Sequence, residues 1–381
     1  MLSRLIARDF RNFDQLDIAI PDRGLAIIGE NGHGKTNLLE AVAYLSLLRS
    51  LRGTRDTDVV RFGASVFHLR AELRAPALSP STYFTVSVGY ERTAKRKRVS
   101  LDGVEQPRLT AALGAVPSVC FSPADVALVT GGPGGRRRFL DVALALSSRP
   151  YLHALQQYRA ALLRRNAALR LAQRDGARGA LVHEGRVSVW EPALAEHGGV
   201  VAAMRQTFVR KHADRFTALS FAIGEHAPVV MRYIASMGAF AEGEVESAPA
   251  QSAAFRLAYA SQRALELRRG TTLVGPHRDE LQLLLGGRDL RVFGSAGQHR
   301  SAAIALRLLE LATLRDAIHA TPLLLLDDPF AELDTRRATR VLSLLEEGGV
   351  GQVLLTVPRP EDIPPAFTRL ERRSMIDGIL T

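Results

Sequence analysis

The chain of 381 residues is long enough for two domains, and 46% of its residues are hydrophobic, enough to fill substantial cores. Its single cysteine, Cys120, excludes an internal disulfide, and no apolar run approaches the roughly 18 residues that span a bilayer, so we expect a soluble cytoplasmic protein without a membrane partner. The net charge of +11 favours an anionic partner.

The first 28 residues predict three strands, at 2–10, 16–20 and 25–28. Arg11, Asn12 and Phe13 form the turn after the first strand. This turn could contact a nucleotide, or it could be an ordinary surface hairpin.

A glycine-rich loop, which we call the phosphate loop, follows the third strand. Residues 29–36 fit the pattern G-x-x-x-x-G-K-[ST], and apolar residues at helical spacing follow. Glycines let backbone N–H groups close on phosphate oxygens, and the helix that follows adds the positive end of its dipole. A glycine turn with a solvated lysine is the alternative, but the order of strand, loop and helix favours nucleotide binding. The predicted nucleotide-binding residues are Gly29, Glu30, Asn31, Gly32, His33, Gly34, Lys35 and Thr36.

Within the phosphate loop, two side chains have predicted roles. Lys35 should reach the β- and γ-phosphates of the nucleotide, and the Thr36 hydroxyl should hold Mg²⁺.

A basic run follows two alternating segments, at 66–73 and 83–90, that predict strands. It contains Lys95, Arg96, Lys97 and Arg98, which would lie at the tip or edge of a hairpin. These residues are candidates for DNA binding. A solvated run of charge that protects a sheet edge is an equally good interpretation.

Residues 124–269 have a helical pattern, with stretches near 152–171, 191–219 and 252–268, the second broken at Gly198 and Gly199. Because no extended heptad repeat is present, a long coiled-coil arm is not expected. We therefore predict a helical insertion at 124–269 in an α/β domain whose two parts are residues 1–123 and 270–381.

An acidic pair ends a strand of the second α/β part. Four leucines lead into Asp327 and Asp328, which would lie at the carboxyl edge of a parallel sheet, where the phosphate loop also lies. Asp327 is predicted to support Mg²⁺, and Asp328 to orient or activate water against the γ-phosphate. An ordinary turn is the alternative, but Lys35 upstream favours a magnesium site.

A second phosphate-binding segment precedes that strand. Ser295, Gly297 and Gln298 open a predicted helix, whose free N–H groups and dipole could bind phosphate. We call residues 295–298 the signature.

These motifs together resemble the ATPase heads of the ABC/SMC class, and most closely the RecF family of recombinational repair proteins. The segments that carry the resemblance are residues 29–40, 136–141 (RRRFLD), 275–279 (GPHRD) and 326–334 (LDDPFAELD), so it covers nearly the whole chain. It implies an α/β fold, namely an ABC-type P-loop ATPase head with a helical insertion domain.

The resemblance also implies a mechanism. The signature of one subunit would complete the ATP site of a second, and Glu332, Leu333 and Asp334 would form the D-loop across that interface. An ATP-dependent homodimer would bind double-stranded DNA, using ATP and Mg²⁺. With RecO- and RecR-like mediators it would help RecA assemble on gapped DNA near junctions of single and double strands.

Two departures from ABC transporters imply slow turnover, hence a weak DNA-stimulated ATPase used as a switch. Asp328 stands where those proteins usually carry Glu, and Thr356 stands where they carry His. Residues 121–123 could take the place of the Q-loop. His277 and Arg278 could line the active site or pin a turn.

Three other functions are compatible with parts of the sequence. The ATPase subunit of a membrane transporter leaves the long insertion and the basic charge unexplained. A short SMC-like structural ATPase would need a long arm, and a non-enzymatic DNA-binding module would not need intact catalytic motifs.

Overall fold

The computed structural model describes residues 1–74, 83–175, 180–237, 247–331, 333–349 and 351–381. It divides into two compact units. The head unit contains Met1–Asp125 and Leu306–Thr381, and the insertion unit contains Val126–Ala305.

Most strands lie towards the two ends of the chain, and most of the long helices lie between them. The strands are β1 (Leu2–Phe10), β2 (Phe13–Ala19), β3 (Gly24–Ile28), β4 (Val66–Arg74), β5 (Tyr83–Glu91), β6 (Arg96–Leu101), β7 (Val104–Glu105), β8 (Ser118–Phe121), β9 (Val229–Ile234), β10 (Glu280–Leu285), β11 (Arg288–Asp289), β12 (Leu323–Asp327), β13 (Val353–Val357), β14 (Glu371–Ile376) and β15 (Ile379–Leu380). The helices are α1 (Lys35–Leu47), α2 (Asp56–Val59), α3 (Ala127–Thr130), α4 (Pro133–Ser147), α5 (Arg149–Asp175), α6 (Ala180–Ser188), α7 (Glu191–Ile223), α8 (Ala248–Arg269), α9 (Leu290–Phe293), α10 (Ala296–Ile318) and α11 (Thr335–Glu347).

The head unit contains two six-stranded sheets. One is antiparallel, in the order β2-β1-β4-β5-β6-β7, and the other has the order β15-β14-β3-β13-β12-β8. In the second sheet β14, β3, β13, β12 and β8 are parallel, so their carboxyl ends share one edge. The phosphate loop follows β3 and the acidic pair follows the leucines of β12, which puts both at that edge, as the sequence predicts.

Helix α1 is fixed between the two sheets. Most of its residues are buried, and it contacts strands of both sheets. The rings of Phe10, Tyr44 and Phe67 pack edge to face with centroids 5.3–6.0 Å apart. Such packing adds to the burial of apolar surface and leaves the helix that begins at Lys35 little freedom to shift.

The insertion unit is built around α5, α7 and α8, with a small antiparallel sheet in the order β11-β10-β9. Helix α7 runs through Gly198 and Gly199, where the sequence predicted a break. A Cβ atom on Gly199 would lie 2.5 Å from the carbonyl oxygen of Ala248. These glycines therefore permit close packing of α8 against an unbroken helix.

The insertion unit extends to Ala305, beyond the boundary at residue 269 that the sequence predicts. The reason is strand pairing, because β10 pairs with β9 along its whole length. A buried hydrogen bond across residue 269 adds to this connection. Arg165, which is fully buried, contacts Glu191 and Glu266 at 2.8 and 2.6 Å and donates a hydrogen bond to Thr272.

The segments RRRFLD and GPHRD both belong to buried networks of the insertion unit. Arg136 pairs with Glu280 at 2.9 Å, and Asp141 pairs with Arg205 at 2.6 Å. His277 lies 2.6 Å from the Tyr158 hydroxyl, and burial lowers its pKa to about 4. Of the two roles considered for His277, this geometry fits the pinning of a turn by a neutral imidazole.

Candidate nucleotide site

The backbone of the phosphate loop depends on its glycines. Gly32 and Gly34 have φ angles of 93° and 101°, in the left-handed region that glycine adopts without strain. A Cβ atom on Gly29 would lie 2.4 Å from the carbonyl oxygen of Met375, so this position also requires glycine. Gly34 precedes the first residue of α1, whose initial N–H groups lack intrahelical partners and are available to an anion.

Lys35 is held inside the loop. Its ammonium donates hydrogen bonds to the carbonyl oxygens of Gly29 and Glu30, at 2.5 and 2.9 Å. Burial lowers the pKa of Lys35, while the nearby charges of Asp327 and Asp328 oppose that shift. The ammonium can exchange these carbonyl partners for phosphate oxygens, which are stronger acceptors.

Thr36 and Asp327 meet across the carboxyl edge of the sheet. The Thr36 hydroxyl donates to Asp327 Oδ1 at 2.9 Å, and the Thr356 hydroxyl donates to the same oxygen at 2.8 Å. Hydroxyl and carboxylate oxygens suit Mg²⁺, which takes one or two carboxylate ligands and completes its shell with phosphate and water. The donor set of Thr36 and Asp327 therefore fits a nucleotide-bound Mg²⁺.

Asp328 has an unusual backbone. Its φ angle is 45°, a left-handed conformation that strains a residue other than glycine, and its N–H donates to the carbonyl of Thr356 at 3.0 Å. Burial, and next the charge of Asp327, raise the pKa of the Asp328 carboxyl. A carboxylate that has a raised pKa, lies on a strained backbone and faces a cavity is a candidate general base.

These side chains line one cavity of about 390 Å³. Its lining residues are Asn31, Gly32, Gly34, Lys35, Thr36, Asn37, Arg52, Pro123, Asp327, Asp328 and Pro358. Pro123 belongs to the segment that could take the place of the Q-loop. Arg52 and Asn37 were not predicted, because neither belongs to a motif whose spacing points to phosphate.

A second, more open depression adjoins this cavity through Asn37 and Arg52, which line both. Its volume is about 560 Å³. Its lining residues are Arg11, Asn12, Asn37, Arg52, Thr57, Asp58, Val60, Phe62 and Arg92. The Phe62 ring is 98% exposed at its rim.

Three predicted loop residues, Gly29, Glu30 and His33, do not appear among the described lining residues. His33 faces the turn between β14 and β15, where the N–H groups of Asp377 and Gly378 donate to its Nδ1 and its carbonyl oxygen, both at 2.9 Å. The carboxylate of Glu30, which is exposed, lies 3.9 Å from Nε2 of the His33 ring.

The signature forms a capped helix start. Ser295 is exposed, its N–H donates to Gln298 Oε1 at 2.8 Å, and its hydroxyl accepts from the Gln298 N–H at 3.3 Å. Gly297 lies in the first turn of α10. This reciprocal cap fixes the helix start, whose remaining N–H groups can face an anion.

The predicted D-loop is described in part. Asp334 caps α11 by accepting a hydrogen bond from the Arg337 N–H at 2.9 Å, and this bond lowers the pKa of its carboxyl. Leu333 is half-buried, and Glu332 lies outside the described residues.

The basic hairpin separates into two kinds of side chain. Lys95, Arg96 and Arg98 are exposed, and the two arginines lie 3.8 and 4.0 Å from the carboxylate of Glu105. Lys97 points inward.

The contacts of Lys97 explain its direction. Its ammonium lies 2.7 Å from the Leu48 carbonyl, 2.8 Å from the Asp56 carboxylate and 5.1 Å from the centre of the Tyr44 ring. Since those contacts occupy it, Lys97 is not available to a DNA phosphate in this structure, and we retain only the other three residues as DNA-binding candidates.

Comparison with known proteins identifies the family of the chain. The RecF/RecN/SMC N terminal domain family matches residues 1–366. The chain belongs to this family. Among its relatives is the DNA replication and repair protein RecF of Rhodococcus erythropolis, 35% identical over 379 residues that cover 95% of this chain and 90% of that protein. RecF of Symbiobacterium thermophilum is 35% identical, with 97% and 96% covered.

A solved structure of the recombination mediator protein RecF with ATP, in the RecFOR pathway, matches this RecF-family chain with a TM-score of 0.87 and 28% identity. The match covers 100% of this chain and 96% of that one. The predictions of an ABC-type ATPase head with a helical insertion and of a RecF-like DNA replication and repair protein are thereby confirmed. Within the described ranges, no helix of the RecF-family chain has the length and apolar character to cross a bilayer.

Proposed function

We propose that this RecF-family chain is an ATP-controlled switch that binds duplex DNA during recombinational repair in the cytoplasm. The observation that carries the proposal is the convergence of Lys35, Thr36, Asp327 and Asp328 on one cavity beneath the phosphate loop. A cavity with a cation, a hydroxyl and two carboxylates at these positions suits a nucleoside triphosphate with a divalent ion.

Each of these side chains has a distinct role. Lys35 binds the β- and γ-phosphates, and Thr36 and Asp327 hold Mg²⁺, which neutralises phosphate charge when bound. Asp328 accepts the proton of the water that attacks the γ-phosphorus, so that ADP and phosphate are released. We expect slow turnover for two reasons. The side chain of Asp328 is shorter than the glutamate that transporters usually carry, and Thr356, which donates a hydrogen bond to Asp327, stands where they carry a histidine.

The adjoining depression is the proposed place of the ribose and base. It is continuous with the phosphate cavity through Asn37 and Arg52, and the exposed Phe62 offers a ring face on which a base can stack.

The signature completes the ATP site of a second subunit in this proposal. ATP then stabilises a homodimer, because the signature helix binds a γ-phosphate that ADP lacks. The D-loop, residues 332–334, lies across the same interface. By likeness to the RecFOR pathway, the dimer works with RecR- and RecO-like mediators and acts indirectly on RecA.

Replacing Ser295 with arginine tests the dimer. The bulk of arginine should block the partner's nucleotide while leaving the phosphate loop of its own chain untouched. We expect ATP affinity near that of the wild type, loss of the ATP-dependent dimer in light scattering, and weaker DNA retention with ATP.

The charge-matched control is Ser261→Arg, which adds the same side chain on the exposed surface of α8. It should dimerise with ATP as the wild type does. Dimerisation of Ser295→Arg to the wild-type extent would rule out the shared site.

Neutralising the exposed part of the hairpin tests DNA contact. If these side chains contact DNA phosphates, changing Lys95, Arg96 and Arg98 to glutamine should weaken the salt dependence of DNA binding. The slope of the logarithm of the binding constant against the logarithm of the salt concentration should shrink by up to about three. Lys97→Gln serves as the control, since it removes one charge from the same strand but from an inward-facing site. It should lower stability and leave the salt slope unchanged. An unchanged slope in the triple variant would return the hairpin to the role of edge protection.

A further inference from the structure

A buried carboxylate lies behind the nucleotide cavity. Glu40 belongs to α1 and is 1% exposed, yet it is not among the described residues that line either cavity. A buried charge is unfavourable unless it is paired and hydrogen-bonded. The partners of Glu40 therefore indicate what this charge does.

The main partner is Arg11, from the turn between β1 and β2. Its Nε and Nη2 atoms donate to the two carboxylate oxygens of Glu40 at 3.0 and 2.9 Å, a bidentate pair with fixed geometry. The Ser50 hydroxyl donates to Oε1 of the same carboxylate at 2.5 Å. Glu40 thus joins the helix of the phosphate loop to two other segments.

Arg11 extends this connection along the chain after α1. Its Nη2 donates to the Thr54 hydroxyl at 2.9 Å, and its Nη1 donates to the Asp58 carbonyl at 3.0 Å. The network around Glu40 therefore holds the segment 50–58 at three points, two through Arg11 and one through Ser50 directly.

That segment carries Arg52, a cation that lines both cavities. Arg52 Nη2 donates to Asn37 Oδ1 at 3.1 Å, and its Nε lies 3.7 Å from Glu40 Oε2. The positive charge of Arg11 and the negative charge of Glu40 cancel each other. Arg52 is therefore the group in this network that can offer net positive charge to a phosphate.

We propose that Glu40 is a positioning residue for the nucleotide. It acts through Arg11 and Ser50 to hold the segment 50–54 so that the Arg52 guanidinium faces the anionic phosphates of ATP. This inference rests on the proposed function of the cavity. It assigns the role to Glu40, although Glu40 does not touch the ligand itself.

A double-mutant cycle between Glu40 and Arg52 tests the proposal. Glu40→Gln keeps the shape and removes the charge, and Arg52→Gln removes the positioned cation. Each variant should weaken Mg²⁺-ATP binding by about 10- to 100-fold in calorimetry, the loss expected when one hydrogen bond between charged groups is removed. The two losses should not add, because Arg52 is already displaced in Glu40→Gln. Additive losses would overturn the proposal.

A second variant separates positioning from stability. Arg11→Met with Glu40→Leu removes the pair without leaving an unpaired buried charge, so the melting temperature without nucleotide should stay near that of the wild type. ATP affinity should nevertheless stay as low as in Glu40→Gln. Recovery of ATP affinity along with stability would make the pair purely structural and contradict the proposal. If Glu40→Gln does not fold, the variant with Arg11→Met and Glu40→Leu replaces it in the double-mutant cycle with Arg52→Gln, and the two losses of ATP affinity should again not add.

Lys35→Met distinguishes failure of the positioning role from failure of the site. If Lys35→Met loses ATP while the Glu40–Arg52 cycle is additive, only the positioning role fails. If Lys35→Met retains ATP affinity, the assignment of the whole cavity fails.

Discussion

Replacing Lys35 with methionine is expected to abolish ATP binding while the fold survives. Methionine approximates the length and volume of lysine and is compatible with a buried position, so packing around the loop should change little. What is lost is the ammonium, which now donates to the carbonyls of Gly29 and Glu30 and would turn to phosphate oxygens. Two hydrogen bonds between charged groups at about 1.5–3 kcal/mol each predict a loss above about 100-fold in affinity.

The matched control is Lys97→Met, a second largely buried lysine of the head unit. Its ammonium contacts the Leu48 carbonyl and Asp56 rather than the phosphate cavity. This variant should lose stability and keep ATP affinity, the reverse of Lys35→Met. Calorimetric titration with Mg²⁺-ATP and a thermal melt on both proteins decide the matter. Wild-type affinity in a folded Lys35→Met protein would contradict the assignment of the cavity.

Replacing Asp328 with asparagine should nearly stop hydrolysis while ATP still binds. Asparagine tolerates the left-handed backbone of this position as well as aspartate does, so the φ of 45° should persist. The variant loses the carboxylate that accepts a proton from water, and loss of a general base typically lowers turnover by about 10²–10⁴-fold. Removing a negative charge beside Lys35 and the phosphates should leave ATP binding equal or tighter.

Single-turnover phosphate release, with the dimer followed by light scattering, measures this effect. A long-lived ATP-bound dimer is the expected species. Asp362→Asn is the control, since it makes the same change at an exposed carboxylate near Asp328 and should keep turnover close to that of the wild type. Unchanged turnover in Asp328→Asn would exclude Asp328 as the base.

The pH profile offers a check within the wild type. Burial and the charge of Asp327 raise the pKa of Asp328, and a base must be deprotonated to act. The turnover of the wild type should therefore fall as the pH drops through a pKa above the usual aspartate range. The residual turnover of Asp328→Asn should not show this fall at acidic pH.

The meeting of the phosphate loop and the acidic pair was predictable because both motifs are local and one rule of topology brings them together. The spacing of the phosphate loop between a predicted strand and a predicted helix indicates a phosphate site, and four leucines before Asp327 indicate a strand buried on both faces. Parallel strands then bring the two motifs to one edge, as found for Thr36 and Asp327. The roles of Arg52 and Glu40 could not be found in this way, because they depend on contacts between segments that are distant in the sequence, such as Arg11 with Glu40.

Other features depend on tertiary contacts that one sequence does not display. Lys97 looks like its basic neighbours, but the strand alternation of β6 turns it towards Asp56. Gly199 looks like a helix break, but it provides the space that α8 needs. The insertion unit continues beyond residue 269 because β9 pairs with β10 across a long stretch of chain.

The central claim is that ATP binding, before hydrolysis, creates the form that holds duplex DNA. The most direct measurement is the duplex-DNA affinity of Asp328→Asn with ATP, with ADP and without nucleotide, with the solution mass measured in the same samples. Of the three conditions, we expect only ATP to double the solution mass and to tighten DNA binding. Equal DNA affinity in all three conditions, or tight ATP-dependent DNA binding by a protein with the mass of a monomer, would contradict the account.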